Sequence, residues 1–165
     1  NIYIEDDASV TAPEIKAKCR RLASSPKGLA LVVIDYLQLV TTGGRVESRQ
    51  VEVSEISRAF KTMAMELKVP VIALAQLSRN AERRESNQPR LADLRESGSI
   101  EQDADLVLFL NRQDYFETKT AENKSNIVPV DVIIAKHRRG STGLFQILFE
   151  LNKSCFKPYS PMEEM

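Results

Sequence analysis

Four polar side chains stand directly after apolar runs in this 165-residue sequence. Asp35 follows LVVI, Gln76 follows VIALA, Asn111 follows LVLFL and Lys136 follows VDVIIA. An acid at a strand tip can hold the water shell of Mg²⁺ on a nucleotide, because Mg²⁺ takes oxygen ligands and keeps several waters. An amide on a neighbouring strand, such as Gln76, can sense a terminal phosphate or orient a water. Any strand must end in a polar residue, but the set together indicates a nucleotide site at the carboxyl ends of a sheet.

Two segments carry cations that suit phosphate binding. Residues 78–99, SRNAERRESNQPRLADLRESGS, combine arginines with small residues and so offer side-chain donors and approachable backbone N–H groups. Interleaved acids lower the local positive charge, and composition alone therefore favours a solvated loop. KHRRG, residues 136–140, is denser in charge, and its cations either enter a neighbouring subunit's phosphate site or protect an exposed strand edge. His137 is the only histidine and does not indicate a metal site.

A nucleotide site of this kind needs a glycine-rich phosphate loop, G-x-x-x-x-G-K-[ST], and the sequence contains no such motif. Its six glycines are scattered along the chain. The residues by themselves therefore predict an incomplete nucleotide site on an α/β sheet.

The first half of the chain predicts strands alternating with helices. Residues 2–5, IYIE, are typical of a short strand, and Thr11 and Glu14 are spaced as a capping box that begins a helix. LALVVID, residues 29–35, is a continuous apolar run, which is typical of a parallel strand covered on both faces. A second helix follows from apolar residues spaced by three and four, and Pro70 ends it. These apolar residues are Val53, Ile56, Phe60, Met63 and Leu67.

The second half predicts further strands and a hairpin. Residues 76–105 show little apolar periodicity and are expected to be a functional or a disordered loop. DLVLFLNR is the next strand, and residues 113–126 are expected to be a surface insertion. The runs at 130–137 and 143–151 are separated only by RRGST, too short for a crossover helix, and so predict an antiparallel hairpin. The predicted fold is α/β, with a mostly parallel sheet flanked by helices and ending in that hairpin.

Composition narrows the class of protein. With 42% hydrophobic residues the chain can form one globular domain, and its 23 basic and 23 acidic residues exclude a global positive field that would recruit nucleic acid. Cys19 and Cys155 form no C-x-x-C pair, which suits reduced thiols. No apolar stretch approaches the roughly 20 residues that cross a bilayer, and no signal peptide is visible, so we expect an intracellular chain without membrane contact. It begins at NIYIEDD without a Met, as a piece of a longer protein would.

Several longer stretches resemble one family, the C-terminal ATPase domain of the bacterial replicative DNA helicase, or DnaB family. The resemblance runs in order from Asn1 to Phe156, and only the tail, residues 157–165, is uninformative. Among the stretches, LRESGSIEQDAD is highly specific, whereas IDYLQL alone would not be. The stretches that carry it are IDYLQL, EISRAFKTMAMELKVPVIALAQLSR, DLRESGSIEQDADLVLFLNR, IIAKHRRG and GLFQILFE.

The resemblance implies a RecA-like fold, in which residues 1–156 form the C-terminal part of a helicase ATPase domain that is incomplete at its N-terminal side. It implies ATP and Mg²⁺ as cofactors, a homo-hexameric ring, and translocation along single-stranded DNA in the 5′ to 3′ direction that unwinds the replication fork. Primase and a helicase loader would be partners of the full-length parent. The implied location is the bacterial cytoplasm, associated with the nucleoid.

The resemblance also assigns residues. Asp35 looks like the Walker B acid that coordinates Mg²⁺ through water, and Gln76 resembles the residue that couples the γ-phosphate to the DNA loop. Arg95, Glu96 and Gly98 fall where the family contacts the DNA backbone, and this favours DNA contact over the solvated loop that composition indicated.

Lys136 and Arg138 match the family's pair that acts on the next subunit's ATP, with Arg138 as the arginine finger. The family's common K-Q-R-N-G departs here to KHRRG, and the extra cation Arg139 leaves the finger open between Arg138 and Arg139, although spacing favours Arg138.

The Walker A loop and the glutamate that activates water lie upstream of Asn1 in the family, so this chain alone is expected to be inactive. Two alternatives remain. The parent could be another RecA-like DNA-dependent ATPase of the recombinase type, or this chain alone could be an assembly or DNA-binding module without catalysis.

Overall fold

A computed structural model describes residues 1–7, 9–77, 88–112 and 126–159, with the backbone only of residues 95–98. These residues fall into two compact units, one within residues 1–77 and 92–104, the other within 88–91 and from residue 105 onward. The helices and strands are α1 (Ala12–Ala23), β1 (Val32–Ile34), α2 (Arg49–Leu67), β2 (Val71–Ala73), α3 (Gly98–Asp103), β3 (Leu106–Asn111), β4 (Ile127–His137), β5 (Gly143–Glu150) and β6 (Cys155–Pro158), with 3-10 segments at Leu37–Leu39, Leu91–Ser97 and Leu151–Lys153.

Helix α1 begins with the predicted capping box. The backbone N–H of Glu14 donates to Thr11 Oγ1 at 3.4 Å, and Glu14 Oε2 accepts from the Thr11 backbone N–H at 2.9 Å. Ion pairs join α1 to α2, because Glu66 accepts from Arg20 at 2.6 Å and from Lys16 at 3.0 Å. Arg20 first, and then Lys16, lower the pKa of Glu66 to about 2. The carboxylate therefore stays ionised across the neutral range.

Helix α2 forms the centre of the first unit's core. Four of its five predicted apolar positions are buried, and Leu67 packs against the cluster from its margin. The helix ends at Lys68, which takes a left-handed conformation with φ 55° two residues before Pro70. The spacing of three and four was sufficient to predict this element because one face of the helix is buried along its length.

Truncating Ile56 is expected to destabilise this core. Ile56 is 0% exposed, so Ile56→Ala leaves a cavity and should lower the free energy of unfolding by about 3 kcal/mol. Met65→Ala is the matched control, because Met65 lies on the same helix and is 62% exposed. Urea denaturation measures both variants. Equal losses in the two variants would contradict the burial of Ile56 in this core.

Strands β1 and β2 form a parallel pair, with Val32 opposite Val71 and Ile34 opposite Ala73. The prediction that both faces of β1 are covered is wrong for the described residues of this unit. Ile34 is buried in the core that α1 and α2 build, but Val33, on the opposite face, is 57% exposed. The two helices pack on the face that carries Ile34, and the apolar run alone could not show this.

The predicted strand over residues 2–5 is also wrong. Residues 1–7 form no regular secondary structure, and Ile2 and Ile4 are 90% and 87% exposed. A strand persists where a neighbouring strand pairs its backbone N–H and C=O groups, and no described strand lies beside this segment.

The second unit is a four-stranded antiparallel sheet in the order β3-β4-β5-β6. The predicted hairpin is confirmed: β4 pairs with β5 antiparallel, from Ile127 opposite Glu150 to Ile134 opposite Gly143. A mostly parallel sheet is not confirmed, because β1 with β2 is the one parallel pair among the described strands. Short connections such as those after β4 and β5 permit only antiparallel neighbours.

Residues 88–104 contain more regular structure than their low periodicity predicted. The segment Leu91–Ser97 consists of 3-10 turns on either side of a kink at Leu94, and α3 follows it directly. Ser57 Oγ of α2 donates to Asp103 Oδ2 at 2.9 Å, which holds the end of α3 against the core. Residues 78–87 and most of the predicted insertion at 113–126 lie outside the described residues.

Candidate functional site

Asp35 lies at the carboxyl end of β1, immediately after the buried Ile34, and its side chain is exposed. The peptide bond from Asp35 to Tyr36 is cis. The chain then turns into the 3-10 segment Leu37–Leu39, in which Leu37 is buried. Because Ile34 and Leu37 are both buried, the core holds the backbone on either side of this solvent-facing carboxylate.

Gln76 follows β2 at the same edge of the sheet. Beyond β2 the ladder continues, since the Leu74 N–H donates to Ile34 O at 2.9 Å and the Leu37 N–H donates to Leu74 O at 2.8 Å. These bonds hold the segment after β2 beside the segment that carries Asp35. The structure thus brings Asp35 and the Gln76 backbone to one end of the β1–β2 pair, as the prediction from strand ends required.

One residue of this site is missing from the sequence-based assignments. The side-chain amide of Gln38 pairs with the backbone of Gln76: Nε2 donates to Gln76 O at 2.9 Å, and Oε1 accepts from the Gln76 N–H at 3.3 Å. The two residues are 38 positions apart in the chain, so no local pattern indicates the contact. IDYLQL places Gln38 next to the strand-end acid but does not show where its side chain points.

A charged network anchors the segment that carries Gln38. Arg49 Nη2 donates to Gln38 O at 2.6 Å and Nη1 to Val40 O at 3.3 Å, and Arg49 also pairs with Glu52. The buried Glu52 accepts a further bond from the Thr42 N–H at 3.1 Å. Arg49 first, and then the Thr42 N–H, lower the pKa of Glu52 below its usual range. The first turn of α2 therefore holds the backbone of residues 38–42 in place.

The chemistry of this edge fits a magnesium nucleotide. It offers one exposed carboxylate, Asp35, and the described residues hold no cluster of three or more His, Cys, Asp or Glu that could bind a metal directly. A single carboxylate suits contact with Mg²⁺ through its water shell better than direct binding, because Mg²⁺ usually keeps several waters and takes the rest of its ligands from phosphates.

The three residues assigned to DNA lie in the first unit. Arg95 and Glu96 fall in the 3-10 segment Leu91–Ser97, and Gly98 begins α3. The structure describes only the backbone of these three residues. It therefore gives their positions in the chain fold and not the directions of their side chains.

The KHRRG segment lies at the tip of the β4–β5 hairpin in the second unit, where Arg138 and Arg139 are both exposed. The Arg138 backbone N–H donates to Asp105 O at 2.9 Å, and its Nε lies 3.7 Å from Asp105 Oδ1. A Cβ atom on Gly140 would fall 2.3 Å from the ring of His137, so only glycine lets the ring lie across the turn. Any other residue at position 140 would therefore require the exposed His137 side chain to move.

The prediction that all four polar residues after apolar runs form one set at the carboxyl ends of a sheet is wrong for Asn111 and Lys136. In the antiparallel pair of β3 and β4, Asn111 lies opposite Asp131, whereas Lys136 lies opposite Val107. The carboxyl ends of antiparallel neighbours point in opposite directions, so these two side chains occupy opposite ends of the ladder. Asn111 is also buried, which removes it from the candidate site.

The site residues therefore divide between the units. Asp35 and Gln76 both follow strands of the β1–β2 pair in the first unit, and Lys136 and Arg138 lie together at the hairpin of the second. No helix in the described ranges is long and apolar enough to cross a membrane.

Comparison with known proteins gives the same family throughout. The family model described as the DnaB-like helicase C-terminal domain matches residues 1–158. The chain is 56% identical to the replicative DNA helicase DnaB of Geobacillus stearothermophilus, over 92% of this chain and 33% of that protein. It is 54% identical to the replicative DNA helicase DnaC of Bacillus subtilis, with the same shares covered. The chain thus spans about a third of the length of these curated relatives.

Two solved structures also superpose on this chain. One of them, described as an ATPase domain, superposes with a TM-score of 0.86 at 45% identity, over 97% of this chain and 55% of that one. A DnaB-like replicative helicase, studied with its interactions with primase, superposes with a TM-score of 0.79 at 48% identity, over 90% of this chain and 36% of that one. The resemblance seen in the sequence is confirmed, and the chain belongs to the DnaB-like helicase C-terminal domain family.

Proposed function

We propose that the full-length protein that contains this chain is an ATP-driven replicative DNA helicase. The observation that carries the proposal is the exposed acid, Asp35, that follows β1 where this strand pairs in parallel with β2, in a chain of this family. The relatives named as replicative helicases support it. The direct test is ATP turnover by the full-length protein with and without single-stranded DNA. A turnover that DNA does not change would contradict the proposal.

ATP and Mg²⁺ are the proposed cofactors. When bound, the metal neutralises the charge on the β- and γ-phosphates. Asp35 would hold the water shell of that metal, and the Gln76 side chain would lie towards the terminal phosphate. The exposed carboxylate at the strand end fits this role, because it reaches solvent without disturbing the core around Ile34.

This chain alone is proposed not to hydrolyse ATP. The sequence has no G-x-x-x-x-G-K-[ST] loop to hold the phosphates, and it spans 33% of the relatives' length. We propose that residues 1–156 form part of a RecA-like ATPase domain, with 157–165 as a tail whose first two residues, Lys157 and Pro158, complete β6. The rest of the domain would supply the phosphate loop and further parallel strands, and the exposed face around Val33 is consistent with strands or helices still to be packed there.

The second unit is proposed to act on a neighbouring subunit. Arg138 and Arg139 are exposed at the hairpin tip, where a guanidinium can reach a phosphate held by another copy of the protein. In a hexameric ring, Lys136 and Arg138 would complete the next subunit's ATP site, with Arg138 as the arginine finger. Primase and a loader are further proposed partners, and the bacterial cytoplasm, at the nucleoid, is the proposed location.

Single-stranded DNA is the proposed track, and Arg95, Glu96 and Gly98 the residues that contact its backbone. Arg95→Ala should remove one phosphate contact and reduce the slope of log affinity against log salt by about 0.7 to 1. Arg21→Ala is the matched control, because Arg21 is exposed on α1 and carries the same charge. Fluorescence anisotropy with labelled single-stranded DNA measures both slopes in the full-length protein. Equal slopes for Arg95→Ala and Arg21→Ala would exclude this contact.

A further inference from the structure

The pairing of Gln38 with Gln76 continues the β1–β2 ladder beyond the point where the β1 backbone leaves it. In the segment that follows β2, the alternate residues Leu74 and Gln76 turn their N–H and C=O groups towards the chain after β1. Leu74 finds backbone partners, Ile34 O at 2.9 Å and the Leu37 N–H at 2.8 Å. Because the chain enters a 3-10 turn at Leu37, the β1 backbone does not extend as far as Gln76.

The Gln38 side-chain amide supplies the donor and acceptor for Gln76 that a longer β1 backbone would have supplied. A glutamine side chain ends in the same donor and acceptor pair as a peptide unit, and both groups bond one residue, Gln76, at 2.9 and 3.3 Å. Two bonds to one residue fix its orientation as well as its position. The backbone of Gln76 is therefore held where its own strand, β2, has already ended at Ala73.

The anchor of Gln38 is stronger than that of an ordinary turn residue. Its carbonyl accepts from Arg49, whose guanidinium is held by the buried carboxylate of Glu52. Bonds to charged groups are roughly twice as strong as those between neutral groups. Residue 38 therefore stays in place while it holds residue 76.

We propose that Gln38 is a positioning residue that sets the backbone of Gln76 and thereby couples DNA binding to ATP turnover. This inference rests on the proposed function and on the role that the family resemblance gives Gln76, which is to couple the γ-phosphate to the DNA loop. Gln38 itself touches neither the nucleotide nor the DNA. It acts by keeping the Gln76 side chain in register with Asp35, which belongs to the same strand-end segment.

The test uses two variants of the full-length protein. Gln38→Glu keeps the shape of the side chain but replaces the donor to Gln76 O with an oxygen that the carbonyl repels. Gln38→Met has similar size and loses both bonds without adding charge. Each is expected to lower the stimulation of kcat by single-stranded DNA about tenfold. KM for ATP and the midpoint of thermal unfolding should stay at their unmodified values.

Gln50→Glu is the matched control, because it makes the same change at an exposed position in the first turn of α2. It should leave the stimulation, KM and unfolding midpoint unchanged. Amide hydrogen exchange gives an independent readout, since the Gln76 N–H should exchange faster in Gln38→Met, which lacks its acceptor.

The outcomes separate the inference from the proposed function. If Gln76→Ala abolishes stimulation but both Gln38 variants retain it, the positioning role is wrong and the helicase proposal stands. If the Gln38 variants lose stimulation only together with thermal stability, Gln38 has a purely structural role and the inference also fails. If Gln76→Ala itself leaves stimulation intact, the assigned role of Gln76 is wrong, and the inference falls with it.

Discussion

Asp35→Asn is expected to lower DNA-stimulated ATP turnover of the full-length protein by about 10²-fold, the scale on which groups that orient a metal's ligands act. Asparagine has the same shape but no charge, so it holds the water shell of a divalent cation weakly. Because the Asp35 side chain is exposed, the substitution should leave the unfolding midpoint nearly unchanged. A steady-state phosphate-release assay at saturating ATP measures the effect.

The matched control is Asp6→Asn, which removes the same charge from an exposed residue outside the β1–β2 edge. It should keep full turnover. If Asp35→Asn also keeps full turnover, the strand-end acid does not serve the nucleotide, and the assignment of the site is wrong even though the family is not in question.

Arg138→Ala is expected to lower turnover by about 10³-fold, because an arginine that stabilises charge on a transferring phosphoryl group contributes on this scale. The neighbouring Arg139 carries the same charge and is also exposed, so Arg139→Ala is the control and should retain most activity. A larger loss of turnover in Arg139→Ala than in Arg138→Ala would assign the arginine finger to Arg139. If both substitutions lower turnover only slightly and equally, the hairpin tip is not part of the ATP site.

A mixing experiment shows whether the arginine acts across subunits. A ring assembled from Asp35→Asn and Arg138→Ala subunits contains some interfaces that join an intact Asp35 to an intact Arg138 from the neighbour. Turnover should therefore rise on mixing well above that of either variant alone, each of which keeps about a hundredth or less of the unmodified rate. No recovery in rings shown to be mixed would contradict action in trans.

The elements that the sequence predicted correctly are those with local signals. The start of α1 follows from Thr11 and Glu14, three residues apart, and the length of α2 from apolar residues spaced by three and four. The β4–β5 hairpin follows from a connection too short for a crossover helix. In each case the determining residues are neighbours in the chain.

The predictions that failed depend on partners far away in the sequence. Asn111 and Lys136 both end apolar runs, but whether two such ends meet depends on strand direction, which the runs do not encode. The same holds for the exposed face at Val33, because an apolar residue does not show which helix will cover it. Gln38 was missed for this reason too, since its partner lies 38 residues further along.

The candidate site was therefore predictable as a set of residues and not as an arrangement. Strand-end position and family resemblance selected Asp35 and Gln76, and the parallel register of β1 with β2 brings the ends of their two strands to one edge. The charged network of Arg49 and Glu52 behind them had no sequence signal that distinguishes it from an ordinary surface ion pair.

Unwinding of a forked DNA duplex by the full-length protein is the decisive measurement for the proposed helicase activity. With ATP and Mg²⁺, we expect the protein to separate a labelled duplex that carries a 5′ single-stranded tail, and to leave a duplex with only a 3′ tail intact. Asp35→Asn should separate neither. Strand exchange without unwinding would indicate a recombinase-type motor, and unwinding that proceeds without ATP would contradict an ATP-driven mechanism altogether.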